Sequence, residues 1–255
     1  MSHETIIPYV GGKQKVVRKL VSYFPDGLTE MGSPFMGGGS VEIFQQAKGL
    51  RVYAADLCRE LVVFWQMMYS FPTTVAEAFK ARLPIEYPLD TYREELQSGP
   101  SHLDTAVLFY ILIECGFSHI IARTGGAPRN TRNINRKGWR SRYAKLRRFS
   151  APNLSVDWCD CFEFLERFPN LFLYCDPPYA NGSQDLYGFT EDLHSGFPHK
   201  RWAEALKGRD FVQSYGDCEL VRDLYSGWCH IDELKWYYGA AGGSALGHEL
   251  VIRPK

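Results

Sequence analysis

The feature that most limits the fold is a run of three glycines, Gly37-Gly38-Gly39, between a weak strand candidate (Leu28 to Pro34) and a helix candidate from Ser40 through Ala47. Val41, Phe44 and Ala47 recur at three-residue spacing on one helical face, and Ser40 is the expected N-cap. A second strand candidate, Arg51 to Ala55, ends at Asp56, and a helix follows to about Tyr69. Strand, loop, helix, strand and helix in this order predict a parallel sheet with crossover helices. Upstream, Tyr9-Val10-Gly11-Gly12-Lys13 reads as a loop before a helix candidate from Gln14 to Tyr23.

Between Pro72 and Pro152 the strand signals disappear. Val75–Leu83, Leu89–Gln97 and Thr105–Cys115 read as helices, the last almost continuously apolar. The segment after it holds Gly125-Gly126, Pro128, asparagine turns and Gly138, which predicts mostly loop. The pattern therefore predicts a helical lobe over 59–150 inserted into an α/β core formed by 1–58 and 151–255. In the second part, Leu171 to Cys175 reads as a buried strand that ends at Asp176. A helix (His199 to Lys207), a strand (Asp210 to Ser214), a helix (Cys218 to Tyr225) and two strands (Ile231 to Tyr237, His248 to Ile252) complete it.

Asp176-Pro177-Pro178-Tyr179 carries the sharpest chemistry. Open α/β sheets bind ligands at the carboxyl ends of their strands, where this tetrapeptide falls. The prolines fix φ and hold the residues before them extended. The Asp176 carboxylate and a proline carbonyl then act as neighbouring acceptors beside the face of Tyr179. That suits a planar group with an exocyclic amino group. A strand-ending turn with Asp176 as a helix cap is the competing explanation. In Pro34-Phe35-Met36-Gly37-Gly38-Gly39-Ser40, glycine permits positive φ and close ligand approach to the backbone at a helix start. It lacks the Lys-Ser/Thr of a Walker A loop and the G-x-G-x-x-G fingerprint. Asp56, about 17 residues beyond Gly39, stands where such folds place an acid on ribose hydroxyls, so nucleoside binding is favoured over a plain turn.

Charge sharpens the partner. The chain balances 29 Lys+Arg against 29 Asp+Glu, which argues against nucleic acid only on average. From Cys115 to Val156 there is no acid, while ten of the 29 bases lie there, so the remainder carries 19 bases against 29 acids. A basic segment in an acidic body fits a phosphate backbone. Arg123, Arg129, Arg132, Arg136, Lys137 and Arg140, interleaved with Asn130, Asn133 and Asn135, are the candidate nucleic-acid contacts, since Arg pairs with guanine and Asn with adenine edges. A solvated basic face is the blander alternative.

Seven scattered cysteines form no Cys-x-x-Cys pair, so reduced thiols are expected, with neither a disulfide framework nor a zinc site. No apolar run approaches the roughly 20 residues of a membrane span, and Met1 to Gly12 shows no signal-peptide pattern. A cytoplasmic protein, monomeric or weakly dimeric, is expected.

The ordered set Gly11-Gly12-Lys13, Pro34 to Ser40, Asp56, a lobe, Cys159-Asp160-Cys161-Phe162, Asp176-Pro177-Pro178-Tyr179 and Ser214-Tyr215-Gly216-Asp217 resembles the Dam-type (D12 class) DNA N6-adenine methyltransferases over nearly the whole chain. The resemblance implies a Rossmann-like S-adenosylmethionine-dependent core with an inserted helical DNA-recognition lobe. It implies methyl transfer to N6 of an adenine flipped from a short duplex site, GATC being the family's commonest. Tyr9, Lys13, Pro34, Phe35, Gly37, Gly39, Ser40, Asp56, Asp160 and Asp176 would bind the cofactor, with Asp56 on its ribose and Asp160 on its adenine. Asp176, Pro177, Pro178 and Tyr179 would be catalytic, with no metal required. Double-stranded DNA is the partner, and a cognate restriction endonuclease is a candidate. Ser33 stands where the family usually has Glu before Pro-Phe. N4-cytosine or RNA-base methylation, and an idle DNA-binding module, are the alternatives.

Overall fold

The computed structural model of the chain describes residues 4–116, 128–180, 196–240 and 243–255. Seven strands form one sheet in the order β3-β2-β1-β4-β5-β7-β6: β1 (Glu30–Ser33), β2 (Arg51–Asp56), β3 (Leu154–Trp158), β4 (Leu173–Cys175), β5 (Phe211–Tyr215), β6 (Cys229–Ala240) and β7 (Gly243–Pro254). The first five are parallel to their neighbours, while β7 runs antiparallel to both β5 and β6. This is the Rossmann-like α/β architecture that the glycine loop and its flanking strands predict.

Alternation along the strands divides two apolar layers. Tyr174, Val212 and Val251 face one layer, and Leu173, Cys175, Phe211, Leu250 and Ile252 face the other. The second layer is closed by α9 (Cys161–Arg167), α10 (His199–Ala205) and α11 (Glu219–Tyr225), through Phe164, Trp202, Val221 and Tyr225. The first is closed by α1 (Val17–Leu20), α2 (Ser40–Gln46) and α3 (Arg59–Ser70). Between β2 and β3 the chain also runs through α4 (Pro72–Ala81), α5 (Leu89–Gln97), α6 (His102–Cys115), α7 (Pro128–Asn133) and α8 (Trp139–Arg148). In α6 every side chain from Thr105 to Cys115 is buried, as its unbroken apolar run requires.

The structure corrects several expectations. The basic stretch is helical where it is described: a single π turn (Ile134–Gly138) joins α7 to α8. Gly138 does not break the chain there, because its missing side chain makes room for Asn133, whose Oδ1 would lie 2.1 Å from an added Cβ. The first helix covers only Val17–Leu20 before a 3-10 turn. Ser40 is not the cap of α2. Gly39 takes that position with φ +67°, left-handed backbone that favours glycine. β3 and α9 carry no expectation from sequence, although Leu154 and Val156 alternate with exposed neighbours as a half-buried strand does.

Trp65 of α3 joins the helical segment to the glycine loop. It is fully buried, packs on Phe64 and Phe149, and donates through Nε1 to the Gly37 carbonyl at 3.1 Å. Trp65→Ala is expected to lower the unfolding free energy by ~3–5 kcal/mol. Trp65→Phe should cost ~1–3 kcal/mol, chiefly by leaving the Gly37 carbonyl without its donor. Denaturant titration measures both.

Candidate active site

Because β1 to β5 run parallel, their carboxyl ends share one edge of the sheet. That edge carries the glycine loop after β1, Asp56 at the end of β2, Asp160 after β3, Asp176 after β4 and Ser214 on β5. From β1 the chain goes one way to β2 and β3 and the other way to β4 and β5, so the β1 and β4 loops diverge and leave a crevice. A cavity of about 590 Å³ fills it, within the usual range for a small-ligand pocket. Tyr9, Lys13, Pro34, Phe35, Gly37, Gly39, Ser40, Asp56, Asp160 and the whole Asp176-Pro177-Pro178-Tyr179 tetrapeptide border it. Residues spread over 170 positions thus come together because parallel strands present their ends side by side.

At its floor is a dense polar cluster. Lys13 Nζ donates to Asp176 Oδ2 at 2.7 Å and to the Gly11 carbonyl at 2.8 Å, and lies 3.6 Å from Glu249. Burial alone would lower the Lys13 pKa, but Asp176 and Glu249 outweigh it and hold the ammonium above its ordinary value. Asp176 Oδ1 accepts from Ser214 Oγ at 2.9 Å and from the Tyr179 hydroxyl at 3.2 Å. Tyr174 lies 3.1 Å from Ser214 Oγ. With Ser214 donating to Asp176, Tyr174 donates to Ser214. Burial, then the neighbouring Asp176 and Glu249, keep Tyr179 protonated by raising its pKa well above normal. Its ring also faces Lys13 Nζ at 5.2 Å.

The glycine loop and two carboxylates shape the other end. Asp56 Oδ2 accepts from Gly37 N and Oδ1 from Cys58 N, both at 2.9 Å. Burial raises its pKa, and these amide donors work against that rise. Asp160 caps α9, its Oδ1 accepting from Phe162 N (2.7 Å) and Glu163 N (3.0 Å). Gly38 has no room for a side chain, since a Cβ there would meet Tyr9 Cβ at 2.7 Å. Ser40 Oγ is buried with no hydrogen-bond partner among the described residues.

Four further residues belong to the site; Ser214 opens the Ser214-Tyr215-Gly216-Asp217 motif, whereas Glu249, Tyr174 and Glu42 stand in none of the motifs read from sequence. Glu249 reaches Lys13 because β7 turns back antiparallel beside β5, and Ser214 and Tyr174 sit on β5 and β4. Glu42, in the first turn of α2, accepts from Ser33 Oγ at 2.6 Å. A carboxylate from α2 therefore stands against Ser33, the position where the family pattern usually carries Glu. Burial pushes the Glu42 carboxyl up to about 7, against the pull of Ser33. Among the described residues lining the cavity there are four carboxylates, Glu42, Asp56, Asp160 and Asp176, and one base, Lys13. The cavity's balance favours a cationic ligand.

Residues 9–239 match the family described as D12 class N6 adenine-specific DNA methyltransferase. The chain belongs to this family. It is a DNA adenine methyltransferase. A DNA adenine methylase of Haemophilus influenzae is 23% identical over 251 residues, a match covering 89% of this chain and 84% of that protein. Among solved structures, a precorrin 8W decarboxylase of Methanobacterium thermoautotrophicum aligns with TM-score 0.41 and 13% identity, over 95% of this chain and 89% of its own. The rRNA methyltransferase AviRa of Streptomyces viridochromogenes aligns with TM-score 0.38 and 12% identity, over 93% and 81%.

The methyltransferase's basic residues divide by environment. Arg132, Asn133, Arg136, Lys137 and Arg140 are exposed on α7, the π turn and α8, and the four bases form no ion pair among the described residues. Arg142, by contrast, is held by Glu114 at 2.6 Å. Trp139 packs partly buried beside Tyr143, whose hydroxyl donates to Glu77. Asn135 is bonded within the lobe: its Oδ1 accepts from Ile85 N at 2.8 Å and its Nδ2 donates to Ile85 O at 2.9 Å. Both polar ends of that amide are thus engaged by the Ile85 backbone. Arg129 and Asn130 fall on α7 with side chains outside the described part, and Arg123 lies outside the described residues. Asn135→Ala is expected to destabilise the fold by ~1–3 kcal/mol through the unpaired Ile85 backbone, with the salt dependence of DNA binding unchanged. Thermal unfolding and binding at several salt concentrations check the two halves.

Proposed function

We propose that the enzyme transfers the methyl group of S-adenosylmethionine to N6 of an adenine flipped out of a short site in duplex DNA, with GATC as the candidate sequence. The observation that carries this reading is the Asp176-Pro177 acceptor pair, held by buried donors, opening onto a nucleoside-sized cavity of acidic balance. The cavity suits the donor on three counts. Asp56 spans the glycine loop and the start of α3 where a ribose diol would lie, Ser40 Oγ is an unpaired hydroxyl, and four carboxylates match a sulfonium and an ammonium. When bound, the donor supplies an electrophilic methyl carbon on sulfur.

In this reading Asp160 uses Oδ1 for its helix and turns Oδ2 to the cofactor's adenine amino group. Tyr9 and Lys13 border the methionine portion, Pro34, Phe35, Gly37, Gly39 and Ser40 form the floor, and Asp56 holds the ribose. The target amino group displaces the Tyr179 hydroxyl from Asp176 Oδ1, and the freed Tyr179 ring stacks on the base. Asp176 and the Pro177 carbonyl accept its two N–H groups, with Pro178 keeping the backbone extended. That aims the nitrogen lone pair at the methyl carbon. The donor would keep the C–S electron pair on its sulfur as N6 takes the methyl, and Asp176 would accept the surplus N6 proton. Lys13 and Ser214 hold the carboxylate in place throughout. Unstacking the base costs a few kcal/mol, which pocket and backbone contacts must offset.

The lobe over 59–150, set on a core of 1–58 and 151–255, would present Arg132, Asn133, Arg136, Lys137 and Arg140 to the duplex, with Arg123, Arg129 and Asn130 on the same basic segment. A cognate restriction endonuclease and a cytoplasmic setting in a bacterium or infected host accord with this reading, as does a monomer or weak dimer.

Labelled methyl transfer to unmodified duplex DNA, with the product nucleoside identified after digestion, tests the proposal. N6-methyladenine is expected; N4-methylcytosine, or label in RNA alone, contradicts it. Asp176→Ala should slow transfer more than about a hundredfold while duplex binding persists. Replacing Arg136, Lys137 and Arg140 together by Ala should weaken binding and flatten the salt dependence by roughly one unit of log–log slope per lost phosphate contact.

A further inference from the structure

Glu42 is a carboxylate of the cavity wall that, like Asp56 and Asp160, forms no ion pair among the described residues. It is 2% exposed, in the first turn of α2. From β1, Ser33 Oγ donates to its Oε1 at 2.6 Å, and the amides of Val41 and Glu42 on its own helix also favour the anion. From the β4 side it faces Asp176 and Tyr174, which bring acid rather than base. No Lys or Arg forms an ion pair with it among the described residues; the buried Lys13 is spent on Asp176 and Glu249. Two residues away in the same wall, Ser40 Oγ is buried and has no hydrogen-bond partner among the described residues. A buried carboxylate without a cation, beside an unpaired hydroxyl, is costly unless a ligand brings charged donors.

We infer that Glu42, with Ser33 behind it and Ser40 beside it, receives the primary ammonium of the methyl donor's amino-acid end. This rests on the S-adenosylmethionine reading above and assigns one end of that ligand to one side chain. A sulfonium carries no N–H and cannot satisfy either oxygen, whereas an ammonium offers three donors. The assignment makes binding proton-linked. Burial leaves Glu42 with a pKa of about 7 in the free protein, so near neutrality much of it is protonated. The incoming ammonium lowers that pKa and expels the proton. Affinity therefore falls as pH drops through 7 and levels off above it.

Titration calorimetry with S-adenosylhomocysteine and with 5′-methylthioadenosine, which shares the nucleoside and thioether but has no amino-acid end, separates the possibilities. Wild type should bind S-adenosylhomocysteine roughly five- to tenfold more tightly at pH 7.5 than at pH 6.0. Proton release should appear as a dependence of the heat on the buffer's ionisation enthalpy. Glu42→Gln should weaken S-adenosylhomocysteine roughly 10- to 100-fold at pH 7.5, abolish the proton release and leave 5′-methylthioadenosine unchanged. A folded Glu42→Gln protein that binds S-adenosylhomocysteine as wild type does, or a wild type that releases no proton, overturns the role of Glu42 alone. Proton release is read on the wild type, so the inference stands or falls even where the variant does not fold. Binding of neither ligand by wild type overturns the donor reading and this inference with it.

Discussion

The site hangs on the buried contact between Lys13 and Asp176. A lysine that is 4% exposed must be matched by carboxylates or lose its charge, and the two acids beside it come from strands on either side of β5. Asp176 follows β4, Glu249 sits on β7, and Lys13 arrives from the loop before α1. Satisfying that one ammonium thus fixes the N-terminal loop against the carboxyl end of the sheet. Ser214 and Tyr174 extend the hydrogen bonding inward, so the Asp176 carboxylate is held from both oxygens. The Asp-Pro-Pro-Tyr turn keeps its geometry because donors around it are already committed, and the prolines supply only part of the restraint.

Charge is separated on the scale of the whole molecule. The cavity collects acids around a single base, while α7, the π turn and α8 display exposed bases with no acid in the same stretch of sequence. A neutral total of 29 against 29 conceals this division. On the proposed reading, the acidic cavity would attract a cationic small molecule and the basic ridge a polyanion, so the enzyme's two ligands would be sorted by sign before any specific contact forms. The partition is incomplete by design of the fold: Arg142 and Asn135 lie in the basic stretch yet serve Glu114 and the Ile85 backbone.

What the sequence made legible, and what it did not, follows from locality. Gly37 to Gly39, Asp56 and Asp176 to Tyr179 were readable because each lies in a strand-ending turn whose chemistry is set by adjacent residues. Glu249 was not, since the antiparallel last strand must fold back before it meets Lys13, and Ser214, though it opens a motif, reaches Asp176 only through the pairing of β5 with β4. Glu42 looked like one more helical residue; only the packing of α2 on β1 brings it to Ser33. Ser40 had the right composition for a cap, but the left-handed turn at Gly39 claimed that place. The basic stretch misled in another way. Its glycine and asparagines read as breakers, yet Gly138 accommodates Asn133 inside a helical path and Asn135 mends the backbone at Ile85. Turn-forming residues there serve tertiary contacts rather than turns.

The central claim is that one cavity seats the methyl donor with its sulfur directed at the Asp176-Pro177 acceptors. A crystal structure of the enzyme with S-adenosylhomocysteine tests it most directly. The account predicts the ribose on Asp56, the adenine amino group at Asp160 and the sulfur facing Asp176. A ligand seated elsewhere, or reversed so that its amino-acid end meets Asp160, would contradict it.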